Sequence, residues 1–385
     1  MLPYWKLQLI YALAAGIACG GAWWLAGRGL RPPAATRPLR RRAVVAGALV
    51  LLPLALWWYA VRVLDEPHTT FQFTPISWAF YALTLWFPAL VLGATARGRS
   101  RGQRVDGLFV TGALAALLIG ADALLIEPNR LQTVEHEVTL EAWPVEAAPL
   151  RLVHISDLQS VGSCEREREA VRRINALEPD LIVVTGDYAA GPFNEPEPAI
   201  EAARTFLSGL RARLGVIVVA GHSENAATRA RIFEGLDLSV LHNETELLEL
   251  DDGRELRVFG VPARGMDLGA LEPRTEPGLA TLVASHVPDV SAELDGRGVD
   301  LHLAGHTHGG QIALPLYGPP MTLSSLPRRF ARGLHDFGDH RLHVSPGIGM
   351  EGNHAPRIRF LCPPEINLLL LVGGDADGSS GPSGP

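Results

Sequence analysis

Ala304-Gly305-His306-Thr307-His308-Gly309-Gly310-Gln311 closes an apolar run, Val299 to Ala304. The run reads as a buried strand, and two histidines one residue apart stand just past its end. Gly305 permits backbone angles that other residues avoid, so the chain can turn sharply straight after the strand. The imidazoles on either side of Thr307 can then converge on one point beyond the strand mouth. That is a natural way to present nitrogen ligands to a transition metal. Most single histidines in a fold are structural, so the pair gains meaning only if other strand ends supply matching carboxylates and histidines.

The preceding sequence supplies them. Val134 to Leu140 alternates polar and apolar residues, as a half-exposed strand does. Leu152-Val153-His154-Ile155-Ser156 is a short apolar strand ending at Asp157, followed by a helical stretch from Glu165 to Leu177. Asp180 to Thr185 is a second buried strand, ending at Gly186-Asp187, with a helix over Glu197 to Leu210. Gly215 to Ala220 is a third, ending at Gly221-His222-Ser223-Glu224. Strands alternating with helices imply parallel βαβ crossovers, whose sites gather at the carboxyl ends of the strands. Further strands read over Leu247–Leu250, Leu256–Val261, Ala280–Ser285, Arg341–Ser345 and Ile366–Val372, with shorter connections. Of these, Ala280–Ser285 ends at His286. The pattern suggests an α/β fold of two sheets packed face to face, with helices outside.

Asp157, Gln159, Asp187, His222, His286, His306 and His308 all lie at or just past strand ends. Chance would scatter them along the strands. A mixed oxygen and nitrogen set suits Mn, Fe, Zn or Co better than Ca or Mg. Seven candidates exceed one tetrahedral site but suit two divalent ions sharing a carboxylate, which can clamp a phosphoryl group and activate water.

In this order the motifs resemble those of the calcineurin-like metallophosphoesterases. Their pattern is Asp-x-His, Gly-Asp, Gly-Asn-His-Asp/Glu, a lone His and Gly-His-x-His. Here it reads Asp157-Leu158-Gln159, Gly186-Asp187, Gly221-His222-Ser223-Glu224, His286 and Gly305-His306-Thr307-His308. Gly309-Gly310-Gln311 and Cys362-Pro363-Pro364-Glu365-Ile366 are similar to the membrane-associated branch. The resemblance implies a four-layer αββα sandwich over residues 131–372 and a two-metal centre with a bridging water as nucleophile. It implies that Asp157, Gln159 and His308 bind one ion, that Asp187 bridges, and that His222, His286 and His306 bind the other. Two positions depart from the family. Gln159 replaces an imidazole with a neutral oxygen donor. Ser223 replaces the family's leaving-group acid and has no accessible pKa for that task. His222 or Glu224 could supply the proton instead, and a leaving group such as a nucleoside phosphate would need it least.

Residues 1–130 read differently. Leu7–Gly27, Ala43–Leu64, Pro75–Ala96 and Gly107–Ile126 are apolar stretches near the ~20 residues that cross a bilayer core. Four in series cannot be a signal peptide. They contain almost no ionisable residue apart from Asp122, which favours an anchor over a transport path. Arg28, Arg31, Arg37 and Arg40 to Arg42 follow the first stretch, and Arg97, Arg99, Arg101 and Arg104 the third, whereas 65–74 carries Asp65 and Glu66 and no Lys or Arg. The positive-inside rule puts both Arg-rich linkers in the cytoplasm. The expected protein is therefore a multi-pass plasma (inner) membrane protein with an extracytoplasmic catalytic domain and, after 372, a disordered Gly/Ser/Pro tail at 373–385.

Composition narrows the partners. The 385 residues carry a net charge of −7 and no basic stripe in the soluble half, so no nucleic acid partner is expected. Cys19, Cys164 and Cys362 form no Cys-x-x-Cys pair, which leaves neither a zinc finger nor a disulfide framework. His154, His302 and His343 lie inside strands and read as packed residues, while His335, His340 and His354 read as solvated loop residues. Arg328 and Arg329 suit either an anionic lipid or solvent. Two functions fit. One is a membrane-anchored metal-dependent phosphoesterase acting on a phosphorylated small-molecule or lipid substrate at a phosphodiester, pyrophosphate or phosphomonoester bond. The other is a catalytically weakened relative serving as a membrane binding or scaffold module. The orientation has a direct test: protease added to spheroplasts is expected to cut the C-terminal domain, and full protection of that domain would overturn the assignment.

Overall fold

Short runs of β-branched and aliphatic residues, each stopped by glycine or a polar turn, build the strands of this protein. In the computed structural model the described residues are 79–100, 107–190, 196–272, 278–352 and 357–374, with isolated helical positions between 15 and 48. They contain β1 (Gln132–Leu140), β2 (Leu150–Ile155), β3 (Leu181–Val184), β4 (Val216–Val219), β5 (Ser239–Leu241), β6 (Glu244–Glu249), β7 (Glu255–Val261), β8 (Leu279–Ser285), β9 (Leu301–Ala304), β10 (Gly333–Phe337), β11 (His340–Val344) and β12 (Glu365–Gly373). The strands form two six-stranded mixed sheets, ordered β1-β12-β2-β3-β4-β5 and β10-β11-β9-β8-β7-β6. β2, β3 and β4 are parallel neighbours, as are β7, β8 and β9. Their carboxyl ends are the strand mouths singled out above.

Strand alternation assigns each side chain to one of two apolar layers. Leu152, Leu181 and Ile217 share one buried cluster with Val258, Leu282 and Leu303 of the other sheet, so the two sheets pack face to face. Val153, Ile182 and Val218 point the other way, into a cluster with Ala170, Ile174, Phe206 and Ile232. Those residues come from α1 (Glu165–Ala176), α2 (Pro196–Gly209) and α3 (Ala226–Phe233). Burial on both faces explains why these strands are continuous apolar runs.

The outer face of the second sheet differs from the expected helical layer. Phe259, Val261 and Val283 are covered by Leu268, Leu271, Val290 and Leu294. Leu268 and Val290 lie in the 3₁₀ turns Leu268–Ala270 and Pro288–Glu293. Among the described residues no α-helix forms this layer. The connections after β7 and β8 carry Pro262, Gly265, Gly269, Pro288, Gly296 and Gly298, which oppose a sustained helix. Two further differences are local. β5 and β10 were not expected, being short or polar edge strands. His340 is buried at the start of β11 rather than solvated.

The chain divides into two compact units, Met1–Ile126 with Glu351–Ile358, and Glu127–Met350 with Arg359–Pro385. In the first, Ala79–Arg97 and Val110–Asn129 are helices long and apolar enough to cross a membrane. A Cβ at Gly120 would come within 2.6 Å of the Thr84 Cβ, so a small residue there lets the two helices approach closely. The first two expected spans lie largely, and most of the tail at 373–385 and the linkers and loop between spans lie, outside the described residues.

In the second unit the Arg359 guanidinium is fully buried. Arg359 donates to the carbonyls of Pro346 at 2.8 Å, Gly347 at 3.1 Å, Gly349 at 3.2 Å and Cys362 at 3.0 Å. It thereby clasps the loop after β11. That loop in turn donates Ile348 N–H to Ser156 O at 3.0 Å and Gly349 N–H to Asp157 O at 2.7 Å. Arg359→Met would leave several buried carbonyls without donors, at about 1 kcal/mol or more each. The expected result is a thermal midpoint clearly below wild type in detergent. Arg359→Lys should recover only part of it, since an ammonium lacks the fork that spans separate carbonyls.

Candidate metal centre

Each candidate side chain is delivered by the turn that ends a buried strand. Asp157 and Gln159 follow β2, Asp187 follows β3, and His222 and Glu224 follow β4. From the facing sheet, His286 follows β8, and His306 and His308 follow β9. The turns lock to one another through the backbone: Asp157 N–H donates to Gly186 O at 3.0 Å, Gln159 N–H to Asp187 O at 2.9 Å and Gly305 N–H to His286 O at 3.0 Å.

Five of these residues adopt left-handed backbone. The φ angles are 51° at Asp157, 43° at Gln159, 56° at Asp187, 69° at His306 and 50° at His308. Such conformations cost non-glycine residues about 1–3 kcal/mol each and persist only where the surroundings hold them. Glycine makes the close approach possible. A Cβ on Gly221 would overlap the Asp187 carboxylate, and one on Gly305 would overlap the Ser156 hydroxyl and the Asp157 carboxylate.

The carboxylates are fixed by amides. Asp187 Oδ1 accepts from His222 N–H at 2.6 Å and Ser223 N–H at 2.9 Å, and its Oδ2 accepts from the Gln159 side-chain amide at 3.0 Å. Asp157 Oδ2 accepts from His306 N–H at 2.9 Å. Asp157 Oδ1 is buried with no hydrogen-bond donor and lies 3.3 Å from His308 Nε2. His286 Nδ1 donates to Thr185 O at 2.7 Å, which turns Nε2 towards Asp187 Oδ2 at 3.4 Å and His306 Nδ1 at 3.2 Å.

Two groups of potential ligand atoms result, each within 4.8 Å: His222, His286 and His306, and Asp157, Asp187 and His286. His308 joins the second through Asp157, and Gln159 through Asp187. Glu224 belongs to neither. It is buried, and its Oε1 accepts from Ala189 N–H at 2.7 Å.

The protonation pattern fits a divalent cation. Burial raises Asp157 to about 7, with the Asp187 charge adding to the shift. Burial alone would raise Asp187 as well, but His286 and the Ser223 amide and hydroxyl hold it well below the ordinary carboxylate range. Burial would likewise lower His286, yet the Asp187 and Asp157 charges lift it to about 10. The two carboxylates thus demand positive charge, which here a proton on His286 supplies. Burial, then the His286 charge, lowers His306 to about 3, and burial, then Arg359, lowers His308 well below its usual value. Both are neutral imidazoles, the form that ligates metals. The donor set, the buried unpartnered Asp157 oxygen and the neutral histidines therefore fit a metal.

Three contributors escaped the linear motif reading. Thr185 orients His286 through a carbonyl, which any residue type carries. Ser156 Oγ donates to that same carbonyl at 3.1 Å. Arg359 acts from a loop far along the chain. Only the run Gly347-Ile348-Gly349 hinted that the backbone passes close to something there.

A family model described as calcineurin-like phosphoesterase matches residues 150–310. An uncharacterized metallophosphoesterase, YkuE, from Bacillus subtilis is 30% identical over 288 residues, covering 71% of this chain and 97% of that protein. A Bos taurus transmembrane protein with metallophosphoesterase domain is 26% identical over 370 residues, covering 86% and 80%. The UDP-2,3-diacylglucosamine pyrophosphatase LpxG of Chlamydia trachomatis is 26% identical over 310 residues, covering 64% and 91%. The strand-end order, the converging carboxylates and histidines and these likenesses agree: the chain belongs to the calcineurin-like phosphoesterase family and is a metallophosphoesterase, a hydrolase of phosphoric ester bonds.

Proposed function

We propose that this chain is a membrane-anchored phosphoesterase holding two divalent transition-metal ions (Mn, Fe, Zn or Co) and acting on a lipid-linked phosphodiester or pyrophosphate. The observation that carries the reading is the meeting of Asp157, Asp187, His286, His306 and His308 at adjoining strand mouths, with His222 beside them. Asp157, Gln159 and His308 would hold one ion, His222, His286 and His306 the other, and Asp187 both. When bound, the ions supply Lewis acidity at the phosphoryl oxygens and lower the pKa of water.

The chain's own residues do the rest. The His222 and Ser223 amides and the Gln159 amide hold both Asp187 oxygens in place. The His306 amide fixes Asp157. Burial, then the His286 charge, lowers His222, which favours it as a neutral ligand over an acid. Burial, then the Asp187 charge, raises Glu224 to about 8. Glu224 thus holds a proton at neutral pH and is the remaining candidate for supplying one. Ser223 leaves the family's acid position without a titratable group, which suits leaving groups that need little protonation. A nucleoside phosphate is such a group, and the name of the chlamydial relative points to that class of lipid pyrophosphate. The apolar stretches and Arg-rich linkers support a four-span anchor at 1–130, an extracytoplasmic domain at 131–372 in the plasma membrane, and a lipid bilayer as partner.

Hydrolysis of bis-p-nitrophenyl phosphate by the purified full chain should vanish with chelator and return with transition metal. Asp187→Ala should show only the metal-free rate. A wild type that binds no metal and matches Asp187→Ala would defeat the enzyme reading. Gln159→Ala removes a proposed ligand together with the amide on Asp187, and should cost at least the about 10–100-fold in metal affinity or activity that losing an outer contact alone costs. Ser223→His should speed alkyl phosphodiesters while leaving nitrophenyl esters nearly unchanged. Equal effects on both would show that leaving-group protonation is not what position 223 controls.

A further inference from the structure

Beyond Gln311 the chain runs out as Leu314-Pro315-Leu316-Tyr317-Gly318. All four residues from Leu314 to Tyr317 are exposed: Leu314 by 43%, Tyr317 by 53% and Leu316 wholly. The turn is closed by reciprocal bonds, Leu314 N–H to Gly318 O and Gly318 N–H to Leu314 O, both 2.9 Å. Leu316 sits at φ 63°, a region leucine seldom occupies. The fold therefore holds a large apolar side chain in water on strained backbone. Leu361 repeats the pattern, 46% exposed at φ 51°. It follows Phe360, which pairs with Ile312 and accepts from Ala313 N–H at 2.8 Å. Exposed runs of this kind are a liability unless they meet a partner.

Cations flank the tip. The Arg328 guanidinium lies 3.9 Å over the Tyr317 ring, and that of Arg329 lies 4.6 Å over Phe330. Both arginines are exposed, and among the described residues neither has a carboxylate within ion-pair distance. Leucine and tyrosine at a tip with unpaired arginine behind it match the layering of a bilayer interface, with acyl boundary below and anionic headgroups above. A protein partner fits less well, since stable interfaces take about 20–30 residues a side. The chain also carries helices of bilayer-crossing length, and on the membrane-anchored reading they keep a bilayer at high effective concentration.

The tip is built onto the metal centre. A Cβ on Gly310, two residues past His308, would overlap Pro319. Asp289 accepts from Ser324 Oγ at 2.6 Å and Ser325 N–H at 2.7 Å, fixing the return of the loop. We infer that Leu314, Leu316, Tyr317 and Leu361 with Arg328 and Arg329 form a docking surface for an anionic bilayer leaflet, presenting the metal centre to phosphoryl groups at headgroup depth. The docking rests on the surface and on the membrane-anchored reading. The presentation to phosphoryl groups rests on the phosphoesterase reading.

The test uses the full chain with Cys164→Ser and Leu316→Cys, labelled at position 316 with an environment-sensitive fluorophore. Cys19 and Cys362 are buried and remain unlabelled. The protein is placed in phosphatidylcholine proteoliposomes with or without phosphatidylglycerol, and lipid-borne spin labels serve as quenchers. Strong quenching is expected only with phosphatidylglycerol. Arg328→Ala with Arg329→Ala should lower the docked-to-undocked ratio about 25-fold, about fivefold per cation lost near an anionic surface. Absence of quenching, or equal quenching without anionic lipid, overturns the docking. So does an emission shift in detergent that tracks protein concentration, which would assign the patch to a second copy of the chain. Nitrophenyl diester hydrolysis by the same sample separates the two readings. Activity without quenching overturns docking alone, and quenching without activity upholds docking while overturning the presentation of the metal centre to phosphodiesters.

Discussion

Two carboxylates, Asp157 and Asp187, are held together in a water-poor seam between two sheets. That constraint governs the rest of the site. Two buried negative charges side by side cannot both persist without a cation or a proton. The protein answers with His286 between them, lifted to about 10 by their charge, and with neutral imidazoles around it. The same demand for positive charge makes the cluster a receptacle for metal.

Keeping the carboxylates in place requires backbone that a relaxed chain would avoid. Five of the seven expected ligand positions are left-handed, and glycines at 221 and 305 let neighbouring turns close to contact distance. The strain is offset by bonds between turns and by the loop at 346–349, pressed onto Asp157 from behind and clasped by Arg359. Arg359 thus joins stability to chemistry: it ties the loop, and its charge helps keep His308 neutral. The departures at 159 and 223 fall within this frame. Gln159 still serves Asp187, as a hydrogen-bond donor, and Ser223 turns its amide and hydroxyl to the same carboxylate. Both residues thus help to hold Asp187.

The apolar tip at 314–317 and its arginines are exposed, and Leu316 is strained, in a way the sandwich does not need for its own stability. The tip follows the His306–His308 turn along the same short stretch of chain that supplies two of the candidate ligands.

Much of this was legible in the linear chain. Apolar or alternating runs of strand length identified ten of the strands, and the five closed by a candidate ligand gave every strand mouth that forms the centre, because burial writes itself directly into composition. The helices over 165–176 and 196–209 were equally plain, since their apolar faces recur at helical spacing. The cover of the second sheet was not, because 3₁₀ turns carry no period long enough to detect. Nor were the edge strands β5 and β10, whose polar faces look like loop. Residue type and order by themselves determined the family, the fold class and which side chains could bind metal. Only the tertiary structure decided which of them meet, that Glu224 lies apart, that Gln159 donates rather than stands alone, and that Arg359 sits behind the site. Those outcomes depend on distances between strand ends in two different sheets, and such distances are set by packing across the interior rather than by neighbours along the chain.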